Sequence, residues 1–205
     1  MRGKFIVFEG CEGVGKSTQL RYLKEYLERT GQDAVYTREP GGTPLAEKIR
    51  ELILTCEMSA ETEALLFAAA RADHIKNRIL PALFNGETVI CDRYLDSSIA
   101  YQGFGRGLGY DRVLSYNAYA LENCLPDAVI FIDQNPLESW RRKKGHVIEN
   151  DRMEAERDEF HLRVYDGFKH VEKNRDNFIA IVPELDKNAT HEKIVRALVS
   201  RGLIR

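Results

Sequence analysis

The sequence predicts an α/β chain built on a mostly parallel sheet, and three observations carry that prediction. Short apolar runs recur at Lys4–Glu9, Ala34–Arg38, Thr88–Asp92, Ala128–Asp133 and Phe178–Pro183. Stretches with apolar residues at helical spacing separate them, the alternation that threads parallel strands through crossover helices. The runs are too continuous for strands buried on one face, and four of the five ends carry candidate functional residues. Function is therefore expected along the carboxyl edge of the sheet, where crevices form in open sheets of this kind.

The first run, Phe5 to Phe8, leads straight into FEGCEGVGKST, Phe8 to Thr18. Gly10, Gly15, Lys16 and Ser17 fill the spacing of a P-loop, set between a strand and an amphipathic segment with Leu20, Leu23 and Leu27 on one side. Glycines at 10, 13 and 15 let the backbone turn its N–H groups inward, and a helix starting near Lys16 adds its positive dipole end. Lys16 is placed to reach β- and γ-phosphates and the Ser17 hydroxyl to hold Mg²⁺. Cys11 sits near that helix start and Lys16, an environment that lowers a thiol pKa, so a reactive thiol and an inert small side chain are both open readings.

The second run ends in TREPGGTP, Thr37 to Pro44, a turn that leaves Arg38 and Glu39 at its mouth. A helix from about Pro44 puts Ala46, Ile49, Leu52 and Ile53 on an apolar face and leaves Arg50 for water. The helical pattern from Glu61 to Phe84 should end or kink at Pro81. Phe67, Arg71 and His74 share one face of it: the ring and the guanidinium suit a planar base, while His74 reads as a surface or satisfied histidine.

The third run delivers DRYLDSSIAYQGFGRG. Asp92 stands where a second Mg²⁺ contact is expected, and Arg93 can pair a phosphate bidentately; a strand-terminal salt bridge is the plainer reading of both. The fourth run leads through Pro136 to the charged stretch Trp140 to Glu154, broken at Gly145 and placed where a cover over the nucleotide can lie. Leu162, Tyr165, Phe168 and Val171 mark a further amphipathic helix, and Ile194 and Leu198 the last one.

With 205 residues, no internal repeat and no linker composition, a single domain spanning 1–205 is the simplest organisation. Thirty basic residues against 32 acidic ones leave a net charge of −2, which gives no overall pull toward nucleic acid or an anionic membrane. Cys11, Cys56, Cys91 and Cys124 are widely spaced, with no thiolate metal pattern, as expected of reduced cysteines. No apolar run approaches membrane length, so a cytoplasmic location is expected.

Taken in order, FEGCEGVGKST, TREPGGTPLAEKIR, LLFAAAR, DRYLDSSIAYQGFGRG and DRME resemble thymidylate kinases of the bacterial type over nearly the whole chain. The resemblance implies a P-loop nucleoside-monophosphate-kinase fold with a five-stranded parallel sheet flanked by helices and a lid at about 141–152. It also implies phosphoryl transfer from ATP to dTMP, Mg²⁺ dependence and a homodimer. Residue by residue it puts Gly10, Cys11, Glu12, Gly13, Val14, Gly15, Lys16, Ser17, Thr18 and Arg142 at the ATP, with Ser17 and Asp92 on the metal. It puts Arg38, Arg50 and Arg93 around the acceptor phosphate, Glu39 among the dTMP-binding residues, Glu12 near the sugar 3′-hydroxyl, and Tyr101 under C2′. Phe67 is similar to the ring that stacks on the base, Arg71 to the group that reads thymine O4, and Ser98 and Gln102 to its polar contacts. The catalytic set implied is Lys16, Arg93, Asp92, Glu12, Arg142 and Arg152.

One departure stands out. The arginine customary ahead of the lid glycine is replaced by Lys144, and Gly13 holds the P-loop position where an arginine can substitute for it. Arg142 and Arg152 are therefore the favoured phosphate clamps, with Lys144 filling part of the role. Two other readings stay open on residues alone: a kinase for another nucleoside monophosphate, and a GTPase-like switch. Against the switch, there is no Asn-Lys-x-Asp signature, and Asp186-Lys187-Asn188 is similar only superficially.

Overall fold

The structure, a computed structural model, describes residues 2–142, 156 and 158–205. Among them, five strands form one all-parallel sheet in the order β2-β3-β1-β4-β5. They are β1 (Phe5–Glu9), β2 (Ala34–Arg38), β3 (Thr88–Asp92), β4 (Ala128–Ile132) and β5 (Phe178–Ile181). Every side chain of β1 and β4 is buried, as expected of strands covered on both faces. Edge strand β2 departs from that expectation: its residues are half-buried and Arg38 is exposed. The apolar runs overshot the strands at Lys4, Asp133 and the Val182–Pro183 end, because such a run continues past the last ladder hydrogen bond.

Ten helices surround the sheet among the described residues: α1 (Lys16–Arg29), α2 (Pro44–Thr55), α3 (Ala60–His74), α4 (Leu80–Phe84), α5 (Leu95–Ser98), α6 (Tyr110–Tyr116), α7 (Ala118–Asn123), α8 (Pro136–Arg142), α9 (Asp158–Glu172) and α10 (Lys187–Ser200). Their starts have local causes. The Thr43 hydroxyl accepts from Ala46 N at 3.1 Å with Pro44 at the first helical position, and Asp186 caps α10 by accepting from Asn188 N at 2.9 Å. On α1, Leu23 and Leu27 are buried and Leu20 partly so.

Three details depart from the sequence pattern. The long helical stretch does not break at Pro81; α3 runs into a π-helical turn, Ile75–Ile79, and then into α4. Pro81 has no N–H to give, and the wider turn before it shifts the ladder while keeping Ile75 and Ile79 in the core. Leu52 lies outside the buried face of α2 at 48% exposure, whereas Ala46 and Ile53 are fully buried. The buried face of α9 is Phe160, Val164, Phe168 and Val171, with Leu162 and Tyr165 at its margin.

Strand register brings the functional ends level. Arg38 pairs with Asp92 across β2 and β3, Asp92 pairs with Phe8 across β3 and β1, and Glu9 pairs with Phe131. The loops leaving β1, β2 and β3 therefore open on one edge, as Arg38, Asp92 and Glu12 do on one cavity of about 480 Å³.

Candidate active site

The loop after β1 turns into α1 at Gly15, whose φ of 102° is open to glycine and strained for any other residue. No side chain caps that helix start, so its first N–H groups are left to an anion. Lys16, buried at 6% exposure, folds back to donate 3.0 Å hydrogen bonds to Gly10 O and Cys11 O. Burial, and next to it the Arg93 guanidinium, push its ammonium below the ordinary lysine value. Ser139 of α8 donates to Gly13 O at 2.7 Å and ties the loop to the fourth strand's helix.

Across the cavity stands Arg93, among the described residues the one non-glycine with a left-handed backbone, φ 66°. Such a conformation costs of order 1–3 kcal/mol and persists where the surroundings over-determine it. Here they do. Arg93 N donates to Phe8 O at 2.9 Å, and its guanidinium donates to Gly10 O and Ser97 Oγ at 3.0 Å, Glu12 Oε1 at 2.5 Å and the Tyr101 hydroxyl at 3.2 Å. The Tyr101 ring lies 5.1 Å beneath the cation and its hydroxyl donates to Glu12 Oε1 at 3.2 Å. Burial works against ionisation of Glu12, but the charges of Arg93 and Lys16 and the Tyr101 hydroxyl outweigh it and hold the carboxyl at about 2. Glu12 is thus a fixed carboxylate, poor as a proton acceptor and good as a hydrogen-bond acceptor.

The far wall is built around Arg71. Its Nε donates to Glu39 Oε2 at 2.7 Å, Nη1 to Ser98 Oγ at 3.0 Å and Asn117 Oδ1 at 2.5 Å, and Nη2 to Tyr94 O at 3.0 Å. A guanidinium has five N–H groups. These contacts use four, leaving one Nη2 proton for whatever enters the cavity. Phe67, one turn earlier on α3, is half-buried and lines the same wall. Behind it, His74 Nδ1 lies 3.0 Å from Glu39 Oε1 and Nε2 2.6 Å from Thr37 Oγ1. A carboxylate only accepts, so the Nδ1 proton faces Glu39, and His74 is the satisfied buried histidine that the sequence suggested. Gly42 makes room for this pair, since a Cβ there would lie 2.5 Å from both His74 Nε2 and Thr37 Oγ1.

For a divalent cation, the described residues offer few but suitable donors. Asp92 Oδ1 is buried without a hydrogen-bond partner, beside the phosphate loop, and Ser17 is exposed at the start of α1. No cluster of three or more ligating side chains occurs among the described residues. That donor set fits Mg²⁺, which keeps its waters and is held by one or two protein oxygens plus substrate phosphates.

The cavity thus gathers Glu12, Gly13, Gly15, Lys16, Ser17 and Thr18 from the first loop; Arg38, Glu39 and Arg50 from β2 and α2; Phe67 and Arg71 from α3; and Asp92, Arg93, Ser98, Tyr101 and Gln102 after β3. Arg50 is not left to water: it is half-buried and donates to Pro40 O at 3.1 Å. Arg38 is paired with Glu47 at 2.9 Å. Gln102 donates to buried Glu63 at 2.9 Å. Gly10, Cys11 and Val14 shape the loop from behind without lining the cavity. Cys11 corrects the reactive-thiol reading: at 1% exposure, burial pushes its thiol up to about 12, overriding Lys16 and Arg93. The side chain of Arg142 and all of Lys144 and Arg152 lie outside the described residues.

Residues that sequence reasoning missed are Glu9, Ser97, Tyr94 and Asn117, each of which supports a cavity side chain through one of the hydrogen bonds of this region. Asn117 carried no signal at all, since it lies at the corner between α6 and α7.

The Thymidylate kinase family model matches residues 8–194. A thymidylate kinase of Finegoldia magna is 48% identical over 203 residues, covering 98% of this chain and 100% of the relative. One of Caldanaerobacter subterraneus subsp. tengcongensis is 43% identical over 201 residues, 97% and 96% of the two chains. One of Alkalilimnicola ehrlichii is 44% identical over 200 residues, 96% and 91%. With the glycine loop and the Phe67–Arg71 wall lining one cavity, and similarity running from β1 to α10, the chain belongs to the thymidylate kinase family.

Proposed function

We propose that this cavity carries out phosphoryl transfer from ATP to dTMP, giving ADP and dTDP, with the phosphate loop as donor end and the Phe67–Arg71 wall as acceptor end. The observation that carries the reading is the position of Arg93, which touches Gly10 O of the donor loop and Glu12 and Tyr101 of the acceptor side at once.

The chemistry asks little of a base. A phosphate monoester has its second pKa near ~6, so the acceptor is largely a dianion at neutral pH. The work lies in aligning two anions and neutralising charge on the transferred group. Lys16 leaves its loop carbonyls for the donor phosphates, and Arg93 faces the group in transit. Ser17 and Asp92 are the residues that would hold Mg²⁺, which when bound would supply further charge neutralisation. Glu12, fixed as a carboxylate, accepts from the sugar 3′-hydroxyl. The single remaining N–H of Arg71 reads a base carbonyl, and Phe67 stacks on the ring. Tyr101, 5% exposed beneath Arg93, packs where a ribose 2′-hydroxyl would be stranded. The resemblance adds Arg142 and Arg152 to the cation set.

A homodimer is part of the proposal. Leu45, Ile49 and Leu52 on α2 are spaced along one stripe, with Leu45 at 53% and Leu52 at 48% exposure, and Leu65 on the neighbouring α3 is 51% exposed. An apolar face of that kind suits a self-complementary contact. The four cysteines are free, and no described helix is long and apolar enough to cross a membrane, which supports a cytoplasmic setting.

The test is ADP release from ATP with dTMP, dUMP, dCMP, dGMP or no acceptor added. Turnover that requires dTMP is expected; equal turnover with dGMP, or without any acceptor, would overturn the reading.

A further inference from the structure

Glu9, the last residue of β1, is buried completely and belongs to none of the substrate-facing groups. Its carboxylate nevertheless accepts three hydrogen bonds from one corner of the chain: Tyr94 N at 2.8 Å and Ser97 N at 3.0 Å on Oε1, and the Ser97 hydroxyl at 2.5 Å on Oε2. Tyr94 is the residue before α5, with no side-chain cap of its own, and Ser97 is the third residue of that helix. A helix start of this kind is ordinarily served by two separate groups, one on the third N–H and one on the N–H before the helix. Glu9 does both from another strand. The acidic residue in the first turn, Asp96, is turned away to Arg175 at 2.6 Å.

A neutral side chain would satisfy those two N–H groups, so a carboxyl group at this position calls for a further reason. In its ionised form Oε2 only accepts, and the Ser97 hydroxyl donates its proton to it. The free lone pairs of Ser97 Oγ then face Arg93 Nη1, which donates to them at 3.0 Å. The same Nη1 donates to Gly10 O, and Gly10 is the residue directly after Glu9. The donor loop, Glu9, Ser97 and the Arg93 guanidinium thus form one closed hydrogen-bonded ring.

We propose that Glu9 is a positioning residue for phosphoryl transfer: through Ser97 it sets the angle at which Arg93 meets the transferred group. The proposal rests on the reading of Arg93 as the cation at that group. It assigns Glu9 an effect on kcat that a plain helix cap does not have, because a misaimed guanidinium loses its charge stabilisation in the transition state first.

The experiment measures kcat, dTMP dissociation constant by calorimetry in the absence of turnover, and Tm, for Glu9→Gln, Ser97→Ala, the double variant and Arg93→Ala. Glu9→Gln keeps an acceptor for both N–H groups and replaces the acceptor at Oε2 with a donor. Ser97→Ala removes the hydroxyl that links Glu9 Oε2 to Arg93 and leaves the two backbone contacts of Glu9 in place. Each single variant is expected to lower kcat by about 10- to 100-fold with the dTMP dissociation constant little changed. The double variant should be no slower than the slower single one, since both cut the same chain. If Arg93→Ala lowers kcat sharply while Ser97→Ala and Glu9→Gln turn over like the parent, Glu9 is only a cap and the proposal falls. If Arg93→Ala itself turns over like the parent, the reading of Arg93 falls instead. Should Glu9→Gln not fold, Ser97→Ala decides alone.

Discussion

Arg71 and Glu39 form a buried ion pair at 2.7 Å, with side chains 2% and 3% exposed, and the second oxygen of Glu39 is held by His74. The guanidinium proposed to read the base is therefore also a structural cation, and deleting it leaves a carboxylate stranded in the interior. Breaking such a pair from one side costs about 3–5 kcal/mol. Arg71→Ala is expected to lower stability by that amount in urea unfolding, on top of its loss of dTMP use. Arg71→Ala/Glu39→Ala should cost clearly less than the sum of the two single changes, and strict additivity would show the pair to be uncoupled.

Tyr101 has two separable parts. Its ring lies beneath Arg93 and its hydroxyl bridges Arg93 and Glu12. Tyr101→Phe should keep the preference for dTMP over its ribo analogue and lose up to about tenfold in kcat, the worth of a hydrogen bond. Tyr101→Ala should narrow the ratio of the two kcat/KM values. An unchanged ratio in the alanine variant would remove the ring from discrimination against ribose.

Thiol labelling should separate the cysteines by burial. Cys56 is exposed, whereas Cys11, Cys91 and Cys124 are buried with thiols pushed above the ordinary value, chiefly by that burial. Brief iodoacetamide treatment near pH 8 is expected to add a single label, at Cys56, with activity retained. Peptide mapping that finds Cys11 labelled first would contradict the buried P-loop thiol.

Glu9 makes a pH prediction of opposite sign to that of an ordinary surface carboxylate. Burial first, then repulsion from Asp96, raises its pKa from 4.5 to about 7, against the pull of Arg93 and the hydrogen bonds of Ser97 and Tyr94. A carboxyl whose folded value exceeds its unfolded one contributes stability that is full below 4.5 and lost as pH rises through about 7. Glu9→Gln has no such titration. The Tm of the parent relative to Glu9→Gln should accordingly fall between about pH 5 and about pH 8, and parallel curves would count against a raised Glu9 pKa.

The strands were legible because buried parallel strands leave continuous apolar runs, and four of their starts, at Ala34, Thr88, Ala128 and Phe178, coincide with the sequence reading. The phosphate loop was legible because glycine spacing and a lysine are dictated by the ligand. What escaped were relationships set by tertiary neighbours. Glu9 reads as the polar end of a strand, and nothing local announces three donors arriving from residues 94 and 97. Helical periodicity placed Leu52 on the core face because an exposed apolar stripe and a buried one have the same spacing. Of the two readings left open for Cys11, the reactive one fell for a related reason: the helix start and Lys16 were read correctly, but burial is the larger influence and is invisible in a short motif.

The strand order distributes the two substrates unequally over the molecule. The phosphate loop leaves β1, which is paired on both sides and wholly buried, while Arg38 and Glu39 leave β2, an edge strand of half-buried residues. Local opening begins at edges and reaches central strands only near global unfolding. On the proposed reading, local opening is therefore expected to release the acceptor wall before the donor loop. ATP then asks of its loop only that Lys16 turn away from Gly10 O and Cys11 O, whereas dTMP selects the members in which β2 and its loop are closed.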